Sequence, residues 1–100
     1  MIFILYLGVV HKKQNKYKEA LEYHTQALQM RQRLYSGDHL NISLSLNDIG
    51  VVHEINQDWS KSLDYFTRCL EMRRRLYPGG DHVAVREAAA DVDCIKQLMK

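Results

Sequence analysis

The strongest constraint on this chain is that it repeats itself. Sliding the sequence by 42 residues lays Gly8-Val9-Val10-His11 on Gly50-Val51-Val52-His53, and Leu21, Tyr23, Thr25 and Leu28 on Leu63, Tyr65, Thr67 and Leu70. The register continues with Met30-Arg31 on Met72-Arg73, Arg33-Leu34-Tyr35 on Arg75-Leu76-Tyr77, and Gly37 on Gly79. Of the 30 positions in 8–37, 14 are identical in 50–79, so one folding unit has been copied. Gly80 shifts the frame by one, after which Asp81-His82 matches Asp38-His39 and a third unit begins. A unit of this size buries only part of its apolar face alone, so the copies must stack and share an interior.

Each unit reads as two helices. In the second, Ile42, Leu46, Ile49 and His53 recur at i, i+4, i+7 and i+11, one face of a 3.6-residue helix over about 40–56. Asn56-Gln57-Asp58 breaks the pattern, and Leu63, Phe66, Leu70 and Tyr77 trace a second stripe over about 60–77. Pro78-Gly79-Gly80 stops it, because proline cannot continue the ladder and glycine tolerates the left-handed conformation past a helix end. The first unit predicts helices over about 2–14 and 17–35. Asp38 and Asp81 stand near the next helix starts, where a carboxylate can accept orphan amide hydrogens. The expectation is an all-α chain of five helices: a repeat over 1–36, a repeat over 37–79, and a lone capping helix over 80–100. Gly8, Ala20 and Ala27, with Gly50, Ser62 and Cys69 in register, are small enough for close helix approach; Leu28, Trp59, Tyr65, Phe66 and Leu70 fill the volume.

Composition supports this and narrows the function. Five glycines and one proline in 100 residues leave too little turn chemistry for a barrel or sandwich. A net charge of +2 does not by itself imply nucleic acid or an anionic membrane. Cys69 and Cys94 are too few for a disulfide framework and do not form a C-x-x-C pair, which predicts a reducing, cytoplasmic setting. The apolar run Met1–Val10 has neither a preceding basic residue nor a following cleavage pattern, and it falls far short of the ~20 residues of a membrane span.

The unit resembles the tetratricopeptide repeat, with its W-x2-L-G-x2-Y and A-x3-F pattern. The matching residues are Ile4-x2-Leu7-Gly8-x2-His11 and Ala20-x3-His24 in unit one, and Leu46-x2-Ile49-Gly50-x2-His53 and Ser62-x3-Phe66 in unit two. The long period, Ala27-Leu28-Gln29-Met30-Arg31 and the linker Tyr35-Ser36-Gly37-Asp38-His39 are similar to the kinesin light chain type of repeat, except that Leu40 and Val83 stand where a proline follows the histidine. The resemblance implies a right-handed solenoid of antiparallel helix pairs, a protein-interaction scaffold in which the first helix of each pair lines a concave groove. Carried onto this sequence, the groove would present Leu5, Val9 and Lys12, then Asn47, Asp48, Val51 and Glu54 flanked by Leu44 and Ile55, then Asp91 beside Glu87, Ala90 and Cys94. Asn47 is the first candidate, since an amide both donates to and accepts from a peptide backbone. The apolar and acidic lining favours a protein or peptide partner with apolar anchors and basic residues. The alternative is a regulatory or sensor fragment of a larger multidomain enzyme.

Other chemistry finds little support. Arg31 and Arg33 repeat as Arg73 and Arg75 with Arg74 between, which nucleic acid could use; the simpler account is that they complement helix C-terminal dipoles. His11 and His53 are paired by the repeat rather than by ligation, and Cys69 replaces a packed alanine. No nucleophilic triad, paired carboxylate, cofactor fingerprint or small-molecule site is apparent, so no enzyme activity, cofactor or metal is expected. Ile2, Phe3, Ile4, Leu5 and Leu7 form an apolar surface that predicts further repeats or self-association at that end.

Overall fold

The structure, a computed structural model, describes the backbone of residues 2–100 and the side chains of residues 15–100. The described residues form four helices and no strand: α1 (Ile2–Leu34), α2 (Leu40–Ile55), α3 (Trp59–Leu76) and α4 (Val83–Leu98). Each packs against the next along the chain. The all-helical expectation holds and the count of five does not, because the two helices expected in unit one are a single α1.

The reason lies at the turn. Between α2 and α3, Gln57 takes a left-handed conformation with φ 60°, and Asp58 caps α3 by accepting from the Lys61 amide at 3.3 Å. The aligned residues in unit one are Asn15 and Lys16, and an ammonium has no acceptor to offer an orphan amide. No glycine or proline occurs between Val9 and Ser36, so nothing in the sequence ends the helix. A 33-residue helix is about 50 Å long, and it accounts for the longest dimension of the chain, 56 Å.

The two linkers share one construction. His39 caps α2, its Nδ1 accepting from the Asn41 amide at 3.0 Å, and His82 caps α4 in the same way from the Ala84 amide at 3.0 Å. Each imidazole also stacks on the tyrosine that closes the preceding helix, Tyr35 on His39 at 3.6 Å and Tyr77 on His82 at 3.7 Å. The carboxylates expected at these helix starts are therefore not the caps. Asp38 instead receives both Nε and Nη2 of Arg75, at 2.7 and 3.1 Å, tying the first linker to the end of α3. Gly37, Gly79 and Gly80 all have φ between 79° and 111°, the region where a side chain is strained, and supply the reversal in each linker.

A second repeated device joins each helix end to the next helix start. Arg31 of α1 donates to the Asn41 carbonyl at 3.0 Å and the Ser45 hydroxyl at 2.8 Å. Arg73 of α3, 4 % exposed, donates to the Ala84 carbonyl at 2.9 Å and the Ser43 hydroxyl at 3.1 Å. Both accepting carbonyls belong to the first turn of the following helix. The arginines are thus internal donors rather than the dipole complements that sequence suggested.

The core runs through α2, α3 and α4: Ile42 and Leu46, then Phe66, Cys69 and Leu70, then Val85, Ala88, Val92 and Ile95. Leu28 of α1 packs on its margin, as do Trp59 and Tyr65. Gly50 lets α2 and α3 meet closely, since a Cβ there would stand 2.7 Å from the Phe66 ring, and the Ser62 hydroxyl donates to the Gly50 carbonyl at 2.9 Å. The small residues Gly50, Ser62 and Cys69 therefore act as the register implied.

Candidate partner-binding face

Helix α2 lies between α1 and α3 and buries Ile42, Ser43, Ser45, Leu46, Ile49, Gly50, Val52 and His53 against them. What it leaves open is a strip with helical spacing: Leu44, Asn47, Asp48, Val51 and Ile55, with Glu54 alongside. Leu44, Val51 and Ile55 are exposed, Ile55 to 76 %, and Asn47, Asp48 and Glu54 are half-buried. The strip alternates apolar side chains with acceptors, which suits a segment that offers apolar anchors and hydrogen-bond donors.

Helix α4 carries a matching strip. Val83, Glu87, Ala90 and Cys94 are exposed and Asp91 is half-buried. Asp91 takes the place of Asp48 one unit on, and both carboxylates bear on Cys69 of α3. Burial pushes that thiol up; the Arg73 charge opposes the push, and the Asp91 and Asp48 charges add to it. Desolvation likewise raises the Asp91 carboxyl, with Arg73 opposing and Glu87 reinforcing. Asp48 stands 3.7 Å from the Nδ1 of His24 on α1. Leu5, Val9 and Lys12 lie outside the residues whose side chains are described.

Among the described residues, His53, Arg31, Arg73 and Arg75 make contacts within the scaffold. His53 is 4 % exposed, receives the Tyr17 hydroxyl at its Nδ1 at 2.9 Å, and stacks on Tyr65 with centroids 5.7 Å apart. Burial holds its imidazole below the ordinary value; Asp58 opposes this and Lys61 adds to it. His24, in the place of a packed aromatic, meets Tyr23 edge-on at 5.2 Å. Of the five repeated or adjacent arginines, Arg31, Arg73 and Arg75 are spent on internal contacts and Arg33 and Arg74 stay exposed. Among the described residues no three His, Cys, Asp or Glu side chains are grouped to hold a metal ion, and no helix is long and apolar enough to cross a membrane.

Sequence reasoning missed Ser43 and Ser45, the buried hydroxyls that receive the arginines, and it missed the capping role of His39 and His82. For the histidines a signal existed: they recur with a tyrosine upstream at both linkers. The serines give none, since their counterparts in unit three are Arg86 and Ala88.

A family model described as tetratricopeptide repeat matches residues 1–75. No curated protein matches the chain.

Proposed function

Since the chain belongs to the tetratricopeptide repeat family, whose repeats generally mediate protein–protein interaction, we propose that it is a non-catalytic adaptor module that takes a peptide or helical segment along the α2–α4 face. The observation that carries this reading is the open strip of α2, where Leu44, Val51 and Ile55 remain exposed beside Asn47, Asp48 and Glu54. An exposed strip on α2 that sets apolar side chains beside acidic ones suits a segment with apolar anchors and basic residues. In this reading the repeat register would add Leu5, Val9 and Lys12 at one end of the strip and Asp91 at the other. The finer reading is that the helix pairs continue the right-handed solenoid of kinesin light chain-type repeats, with units over 1–36, 37–79 and 80–100, and that the module works in a reducing cytoplasm. The 42-residue period, the Gly-Asp-His linkers and the two free cysteines support it.

The test compares the proteins captured by the intact chain and by an Asn47→Ala, Asp48→Lys double variant, with Lys61→Glu as a control away from the strip. Loss of the captured set by the double variant alone, at unchanged helical content, is the expected result. Equal capture by all three proteins refutes the assignment of this face.

A further inference from the structure

The α2–α3 pair is locked by contacts between residues that are distant along the chain. Gly50 meets Phe66, 16 positions on, and His53 stacks on Tyr65, 12 positions on. The turn at 56–58 brings them together. Helix α1 carries counterparts at the same spacings, Gly8 and His24, His11 and Tyr23. There the chain does not turn. Within one unbroken helix 12 residues span about 18 Å and 16 residues about 24 Å, so the two halves of α1 cannot meet in a single copy.

The second half of α1 shows the consequence. Tyr23, Met30 and Leu34 are 68 %, 63 % and 70 % exposed, whereas Tyr65, Met72 and Leu76, their counterparts on α3, are half-buried. The difference between the two helices is that α3 has a preceding helix folded on it. The sequence that would cover α1 is present in the chain: Gly8-Val9-Val10-His11 is identical to Gly50-Val51-Val52-His53, part of the helix that covers α3.

We propose that this face is covered by a second copy: residues 2–14 of each chain pack on the Tyr23–Leu34 half of α1 in its partner, as α2 packs on α3. Each copy supplies one segment and one face, so a two-fold axis satisfies both contacts and closes the assembly as a swapped dimer. The turn favours this over folding back, because Lys16 stands where Asp58 caps the second helix of the intact pair. This inference is separate from the α2–α4 groove and stands or falls without it.

Two measurements test it. Sedimentation equilibrium of the unaltered chain should show a reversible dimer, with Tyr23→Glu raising the dimer dissociation constant at least tenfold and Lys16→Asp shifting the population toward monomer. A chain that stays monomeric up to high micromolar concentration overturns the proposal. In a Cys94→Ser background, the pair His11→Cys and Tyr23→Cys should oxidise to a disulfide between chains. A disulfide within one chain reports a folded-back hairpin, and free thiols report that the segment does not reach the face; both results overturn it. If the cysteine variant fails to fold, the sedimentation data decide alone.

Discussion

Arg73 places a permanent cation where 4 % of the residue meets solvent, and its fork holds the Ala84 carbonyl and the Ser43 hydroxyl. Removing it leaves both acceptors without this donor in a dry site, so Arg73→Ala should lower stability by roughly 2–3 kcal/mol in urea denaturation. Arg74→Ala, one position on and exposed, should stay within about 0.5 kcal/mol. His39 and His82 accept at Nδ1, which places the proton on Nε2; His82→Ala loses a cap and a stack and should cost about 1–2 kcal/mol by the same measurement. His53 gives the chain an acid sensitivity whose sign is fixed by its depressed value. The unfolded imidazole takes its proton near 6.5, the buried one only at lower pH, so in that interval the unfolded state binds more protons. The contribution is complete above 6.5 and is lost as pH falls through the folded value. His53→Phe should show a shallower drop in urea midpoint between pH 7 and pH 5 than the unaltered chain.

At the scale of helices and turns, two positions carry measurable strain or crowding. Gln57 holds φ 60°, a conformation that costs a side-chain-bearing residue about 1–2 kcal/mol, so Gln57→Gly should raise stability by about 1 kcal/mol in chemical denaturation. Gly50→Ala should do the reverse. Its helix propensity returns about 1 kcal/mol, but the new methyl would stand 2.7 Å from a Phe66 ring that is 2 % exposed and has nowhere to retreat, a clash costing about 1–3 kcal/mol. Periodicity located α2 and α3 to within a few residues, because their apolar stripes have the 3.6 period and Pro78-Gly79-Gly80 and Asn56-Gln57-Asp58 interrupt it, and the match of Asp81-His82 to Asp38-His39 placed α4. It failed for α1 because transferring the break from one copy to the other ignored that Asp58 had become Lys16. The acidic candidates for caps failed for a related reason: histidine also offers an acceptor, and the residue nearest the helix won.

For the molecule as a whole, the candidate face was legible only as far as its helix. The resemblance assigned Asn47, Asp48, Val51 and Glu54 to a groove, and all four fall outside the buried residues of α2; Asp91 follows by register. Which groups stand near these acids was not legible, since His24 approaches Asp48 from α1 and the Arg73 charge acts on Asp91 from α3. Asp48→Lys and Asp91→Lys should each weaken partner binding more than Lys61→Glu does, and the affinity of the unaltered chain should fall with added salt, both read by calorimetry on a captured partner. The two linkers carry one more consequence. Tyr35 and His39 are four positions apart and Tyr77 and His82 five, yet the rings meet at 3.6 and 3.7 Å in near-parallel planes. The surplus glycine has been absorbed without disturbing the clasp on either side of it. A crossing held at its two banks tolerates a longer span, which makes the bend at Gly79-Gly80 the natural port for grafting an epitope or a reporter while both flanking rods keep their bearing.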